Sequence, residues 1–475
     1  MLIWYSTMDA AVNPMHVPEL LQEVAAFVDD PRDLSSFAQI DRLTHAVVTP
    51  RLFRCIELPL ESVESLAVAL RNDPGRAAAC RSLSFLRPHI LKAVTAEDTA
   101  VLDRWNVDLI SVFSAIATHG QLVSLTWRSP LYRRRANVAL SEDAWITISS
   151  ALGSLTELDI YIPSTEKHIW APISRVHFTQ LRVFRLNLSG AHGWDCALLQ
   201  QTLDSLYLLE ELALNFPLCC GPRGITLAST HPHLRRFSFI SCSLVEESDF
   251  LARHPGLESL YLETEQSFCS GTDASSPKML RALSTDETSL DSSETLMTYP
   301  IIHLCLREID MDDEYIMGNW CADVVCAVAR TLRCLELDLG GLHDVPISPS
   351  VAGLLSTAPA LAEVTIIRRK RLPLPPNWAS NLLTGLLAAI APATTLRAVR
   401  LCCEEALPEE RLQDLGPLPP RLKYIGWDVG STTLVYVIER RGDKNVVANT
   451  LTRLSTDDWA TEGVLPFMGE SWTDW

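Results

Sequence analysis

Apolar and polar positions alternate along this chain in one phrase, Leu-x-x-Leu-x-Leu, repeated with conservative swaps. It is legible at Leu122-x-x-Leu125-x-Trp127, Leu155-x-x-Leu158-x-Ile160, Leu181-x-x-Phe184-x-Leu186 and Leu209-x-x-Leu212-x-Leu214. It returns at Leu234-x-x-Phe237-x-Phe239, Leu257-x-x-Leu260-x-Leu262, Leu332-x-x-Leu335-x-Leu337 and Leu361-x-x-Val364-x-Ile366, then at Leu396-x-x-Val399-x-Leu401 and Leu422-x-x-Ile425-x-Trp427. Weaker forms stand at Leu280-x-x-Leu283 and Ile301-x-x-Leu304-x-Leu306. Side chains alternate across a strand, so the last two leucines of each phrase share a face. The first, three residues earlier, packs at the turn into the strand. Between phrases, Ser141 to Leu152, Val245 to His254, Trp320 to Thr331, Pro349 to Ala358 and Ser380 to Ala391 carry apolar residues at helical spacing. Prolines 232, 255 and 359 fall between helix and strand, where proline stops a helix and favours extended backbone before it.

The central positions 184, 212, 237 and 260 are 28, 25 and 23 residues apart, while 304 to 335 and 364 to 399 stretch to 31 and 35. Leucine-rich repeats recur at about 20–29 residues. One such strand cannot bury its own apolar face, so neighbours stack into a parallel sheet with helices as the return path. A doubly wound α/β enzyme also alternates strand and helix, but it shows near-continuous buried runs and a Gly-rich loop at a strand end. Neither is present. The expected fold class is an α/β solenoid, an irregular leucine-rich-repeat horseshoe of parallel strands with returning helices, preceded by a small three-helix domain.

That domain is read before the repeats. Leu20, Leu21, Val24, Phe27 and Val28 give one apolar helix face, with Pro18 in the first turn. Asp29-Asp30-Pro31-Arg32 reads as a turn, and Asp33 as the cap of a second helix carrying Leu34, Phe37 and Ile40. Pro50 is expected to end a third helix built on Leu43, Val47 and Val48.

Pro18-Glu19-Leu20-Leu21, the Asp33-Leu34 pair after an acidic turn, and the closing Leu52-Phe53 resemble an F-box, as found in fungal proteins that join one to degenerate leucine-rich repeats. The resemblance implies a docking module and not a catalyst. Pro18, Leu20, Leu21 and Val24 match the helix that packs on a Skp-type adaptor in that family; Leu34, Phe37 and Ile40 match the second. Leu52 and Phe53 stand where the family has a Leu-aromatic pair. The family's Cys-Arg-x-Trp segment reads Asp41-Arg42-Leu43-Thr44 here, keeping only the Arg. The function so implied is that of a substrate-recognition subunit of a Skp–cullin–F-box ubiquitin ligase, its repeats binding a protein target. The alternative is a non-catalytic repeat scaffold whose N-terminal helices only cap the solenoid.

Polar positions between the strand leucines line the concave side of such an array. Thr126, Arg128, Asp159, Tyr161, Arg185, Asn187, Tyr261, Glu263, Glu336, Asp338 and Arg400 are the candidate target contacts.

At 475 residues and 47% apolar, with mean hydropathy +0.12, the chain can bury a large core. Its net charge of −18 argues against nucleic acid as a partner, and Arg133 to Arg135 and Arg368 to Arg371 read as solvated edges. The 13 cysteines, among them Cys219, Cys220, Cys242, Cys402 and Cys403, show neither disulfide nor zinc spacing and read as free thiols. No P-loop, Gly-x-Gly-x-x-Gly, His-Glu-x-x-His or Gly-x-Ser-x-Gly occurs, so no enzyme activity, cofactor or metal is expected. His231 and His233 flank Pro232 in what reads as a surface turn.

Residues 1–13 lack the pattern of a secretory leader, and the apolar run Leu382 to Ile390 is too short to span a bilayer. A cytoplasmic or nuclear protein without membrane contact is expected. The domain reading is a flexible leader at 1–14, the F-box-like helices at 15–58, repeats at 59–441 and a C-terminal cap or tail at 442–475. Within the repeats, 265–298 is a polar acidic loop with Ser292 and Ser293 as candidate phosphorylation sites. The tail carries Trp459, Trp472 and Trp475.

Overall fold

Three short helices open the chain: α1 (Pro18–Ala26), α2 (Pro31–Ala38) and α3 (Arg42–Leu52). The structure is a computed structural model. It describes residues 18–28, 30–59, 62–86, 96–128, 140–163, 170–189, 196–216, 230–241, 250–264, 279–286, 296–297, 299–307, 314–339, 355, 358–368, 378–402, 418–429, 432–441 and 444–448. The leader 1–14, Arg133 to Arg135, Arg369 to Arg371, Cys219, Cys220, Cys242, Cys403, Ser292, Ser293 and the three tail tryptophans lie outside the described residues.

Asp30, not Asp33, caps α2, its carboxylate accepting from the Arg32 N–H at 2.7 Å. Pro31 supplies the reason. It holds the helical φ at the first position without wasting a donor, so the helix starts earlier and Asp33 falls in the first turn. Asp41 caps α3 by accepting from the Thr44 N–H at 2.8 Å. Pro50 does not end α3: the helix runs on to Leu52, because a proline in the last turn removes only one intrahelical bond. Ala25, Leu34, Ala38 and Val48 form the module's core, with Val28, Phe37 and Leu52 against it, and Leu21 is buried as well. The Arg51 guanidinium donates to the Ala26 carbonyl at 2.9 Å, tying α3 to the end of α1.

The described chain divides into two compact units, Met1–Ile225 and Thr226–Trp475. The first continues from α3 directly into a parallel sheet: β1 (Cys55–Pro59), β2 (Ser82–Leu86), β3 (Ser124–Arg128), β4 (Glu157–Pro163), β5 (Val183–Ser189) and β6 (Glu211–Phe216), each paired with its neighbours in chain order. The parallel array therefore begins at Cys55, ahead of the boundary expected at 58/59. Its first two strands carry the phrase disguised, as Phe53-x-x-Ile56-x-Leu58 and Cys80-x-x-Leu83-x-Phe85. Between strands run α4 (Val63–Asn72), α5 (Pro74–Ala79), α6 (Ala96–His119), α7 (Glu142–Ser150), α8 (Trp170–Ile173) and α9 (Cys196–Asp204). Ser141 caps α7 through Ala144 N–H, at the place where the sequence begins its helical spacing.

Register puts equivalent leucines side by side. Leu83, Leu125, Leu158, Phe184 and Leu212 form one buried row, and Phe85, Trp127, Ile160, Leu186 and Leu214 the next. Trp127 meets Phe85 and Trp145 edge-on, each at 5.2 Å between ring centres. At the head of each strand one carbonyl accepts from two N–H groups of the following repeat: Arg81 from Val123 and Ser124, Val123 from Thr156 and Glu157, Thr156 from Arg182 and Val183, Arg182 from Glu210 and Glu211. This shared acceptor fixes where each of these repeats enters the sheet. The turn after α6 is crowded: a Cβ on Gly120 would sit 2.5 Å from the Ala77 carbonyl oxygen, so only glycine fits.

The second unit holds β7 (Arg236–Ser241), β8 (Ser259–Thr264), β9 (Ala282–Thr285), β10 (His303–Leu306), β11 (Cys334–Leu339), β12 (Glu363–Arg368), β13 (Ala398–Cys402) and β14 (Tyr424–Val429), parallel and in chain order. The described return helices are α10 (Phe250–Arg253), α11 (Glu314–Val328) and α12 (Trp378–Ile390). The two-donor carbonyl recurs at Arg235, Glu258, Arg281, Ile302, Arg333, Ala362 and Arg397. The expected acidic loop at 265–298 is therefore interrupted by a strand, β9, buried between β8 and β10. The sheet then turns antiparallel through β15 (Thr432–Arg441) and β16 (Lys444–Ala448), so the segment taken as tail begins with a paired strand. Repeat phrase, parallel register and returning helices make each unit an α/β solenoid of the leucine-rich-repeat type.

His231 is not in a surface turn. It is buried and stacked on His254, one repeat later, with ring centres 5.9 Å apart. His254 Nε2 accepts the His231 backbone N–H at 3.1 Å, which leaves Nδ1 to donate to the Phe250 carbonyl at 2.8 Å. Two His-Pro pairs in successive repeats thus clasp each other. His233 is exposed, as expected.

Candidate functional site

Two surfaces answer to the site residues drawn from the sequence. The first is on the helical module. Leu20, Val24 and Phe27 follow helical spacing and are 43%, 47% and 87% exposed, and Ile40, two residues past α2, is 59% exposed. Pro18 is exposed beside them, and Glu19 and Glu23 lie between them in sequence, also exposed. The apolar face read as one stripe is in fact two. Leu21, Ala25 and Val28 turn inward, while Leu20, Val24 and Phe27 turn outward. Leu21 and Leu34 are core residues of the module and present no surface to a partner. Phe37 and Leu52 are half-buried against that core. Phe53 is half-buried under the Arg76 guanidinium, 5.0 Å from its ring centre, which draws it toward α5. Phe27, absent from the candidate contacts, is the most exposed large apolar residue described; its place at i+7 from Leu20 was the signal for it.

The second surface is the polar face of the strands. In the first unit Thr126, Asp159, Arg185 and Ala213 share one row, and Arg128, Tyr161, Asn187 and Asn215 the next. The six candidates among them, Thr126, Arg128, Asp159, Tyr161, Arg185 and Asn187, all keep solvent-facing surface. Arg128 approaches Asp159 at 3.9 Å, and Arg185 donates through Nε and Nη2 to one oxygen of buried Glu211, each at 2.6 Å. Burial raises the Asp159 carboxyl above the usual range, against the pull of Arg128 and Arg185. A row of this kind offers donors and acceptors in register, which suits hydrogen bonding to another chain.

The second unit behaves otherwise. Tyr261, Glu336 and Asp338, expected as target contacts, are 2%, 9% and 1% exposed. They are interior residues. Glu263 is half-buried and taken up internally: it accepts from the Tyr261 hydroxyl at 3.0 Å and from Arg307 at 2.9 Å, with the Arg307 guanidinium 4.7 Å from the Tyr261 ring centre. Arg400 remains half-buried. Beside them His303, Cys305, Cys334, Glu363 and Thr365 are buried too. His303 donates to Glu336 at 3.1 Å and the Cys334 thiol to Glu363 at 3.3 Å. Among the described residues no group of three or more His, Cys, Asp and Glu side chains is arranged to hold a metal ion, and no helix is long and apolar enough to cross a membrane.

The fold is thus a leucine-rich-repeat solenoid with a helical module at the head of the first unit. No protein-family model matches the chain, and no curated protein matches it by sequence. Among solved structures it is similar to an internalin from Listeria monocytogenes, at 14% identity and a TM-score of 0.30, over 60% of this chain and 84% of that one.

Proposed function

We propose that this chain is the substrate-recognition subunit of a Skp–cullin–F-box ubiquitin ligase, docking a Skp-type adaptor through α1 and α2 and a protein target through its repeats. One observation carries the reading. The helical module closes its own core with Leu21, Ala25, Leu34, Ala38 and Val48 and still exposes Leu20, Val24, Phe27 and Ile40. A cap that only shields a solenoid end has no use for an outward apolar ridge, which costs solubility unless a partner covers it. In this role the protein performs no chemistry and needs no cofactor. It holds a target near a ligase in the cytoplasm or nucleus, where effective concentration does the work.

The scaffold reading keeps support from the other side of the module. α3 runs straight into β1, and Phe53 stacks under Arg76 of α5, as in a helical cap packed on the first repeat. Co-purification of the full chain with a Skp-type adaptor separates the two. The Leu20→Glu/Phe27→Glu double variant should weaken the complex by about 30-fold or more, as loss of an interface anchor does, with an unchanged circular-dichroism spectrum. Failure of the wild-type chain to bind the adaptor, or equal binding by the variant, leaves the capped scaffold.

A further inference from the structure

Buried titratable groups gather on three adjacent strands of the second unit. Register places His303, Cys334 and Glu363 in one row across β10, β11 and β12, and Cys305, Glu336 and Thr365 in the next. All six are buried. The Glu363 carboxylate is given one side-chain donor, the Cys334 thiol at 3.3 Å, a weak partner for an ion in the interior. The groups that act on it are few: Cys334 and Glu336 from β11 and Arg397 from the head of β13. Glu336 is itself held by His303 at 3.1 Å, so an ionised Glu363 would place a second buried negative charge beside an occupied carboxylate.

We propose that the β10–β12 segment is a proton-gated latch, its buried polar groups packed together while Glu363 is neutral and loosened when that carboxyl ionises. Loosening would expose the strand positions that the first unit already presents to solvent. The electrostatics agree with the geometry. Burial, with Glu336 adding to it, pushes the Glu363 carboxyl from its usual 4.5 up to about 8, against the pull of the Cys334 hydrogen bond and Arg397. A carboxyl raised in the folded state stabilises that state fully below its ordinary value. The contribution is lost as pH climbs toward the folded value and is constant above it. The active window is therefore from about pH 4.5 to 8.

Hydrogen exchange of the full chain, read as protection factors over 334–339 and 363–368, tests this. Protection should fall about tenfold per pH unit across that window and level off above its upper end, as release of a single proton requires. Glu363→Gln should abolish the slope. Cys334→Ser, which gives the carboxylate a stronger donor, should bring the levelling to lower pH. It also serves as the test should Glu363→Gln not fold. Protection that is flat in the wild type, equally sloped in Glu363→Gln, or levels at an unmoved pH in Cys334→Ser overturns the latch.

Discussion

Cys55 and Cys334 hold the same place in their repeats, one residue ahead of the first inward-facing strand residue, yet Cys55 is exposed and Cys334 buried. The same contrast runs along both polar rows. Thr126, Asp159 and Arg185 keep contact with solvent in the first unit; Tyr261, Ser284, Cys305, Glu336 and Thr365 lose it in the second. The leucine side shows no such difference. Leu158, Phe184 and Leu212 in one unit, and Leu260, Leu304 and Leu335 in the other, are at most 1% exposed. The repeat phrase therefore commits only one face of each strand. The other face is free to be a platform or an interior, and this chain uses it once as each. Where it is interior, its polar groups must find partners within the fold, as Glu336 does with His303 and Glu363 with the Cys334 thiol in the second unit.

The comparison can be broken first on the shared face. Trp127 and Trp427 are equivalent core residues of the two units, each at most 1% exposed. Replacing either by Ala should cost about 3–5 kcal/mol in denaturant unfolding. A large inequality between the two would mean that the leucine faces are not alike.

The polar faces should differ. Arg307→Ala strips Glu263 and Tyr261 of a buried partner and is expected to cost about 3 kcal/mol. Arg128→Ala removes a half-exposed guanidinium 3.9 Å from Asp159 and should cost less than about 1 kcal/mol. Equal losses would erase the distinction between platform and interior.

Thiol labelling sharpens it at single positions. Exposed Cys55 should react at pH 8 on the order of a hundredfold faster than Cys334, whose thiol is raised by burial and by the Glu363 carboxylate, with Cys305 protected alongside it. Comparable rates for Cys55 and Cys334 would show that the second face opens freely.

Much of the array was legible because Leu-x-Leu is a direct statement about one strand face. β3 to β8 and β11 to β14 lie where the phrase puts them, and α7, α11 and α12 fill expected return segments. β1 and β2 were hidden because Phe53 and Cys80 take the place of the leading leucine, whereas β9 and β10 answer to the weaker forms at Leu280 and Ile301, β9 inside the stretch read as a polar loop. β16 was missed because antiparallel pairing follows from a turn back along the sheet edge, which no repeat period announces. At the helical module the sequence named Leu20 and Leu21 together. One helical step, about 100°, separates them, and it sends one to the surface and the other to the core.

By itself the sequence determined the strand phrases and the residues that make each leucine row, since these rest on side-chain alternation and on contacts within a few residues. The tertiary structure decided which polar strand positions see water, how His231 meets His254 across 23 residues, and that Glu363 faces a thiol and a second carboxylate. Those outcomes depend on what packs over a face from distant parts of the chain. A polar residue between two leucines reads the same in sequence whether solvent or protein lies above it.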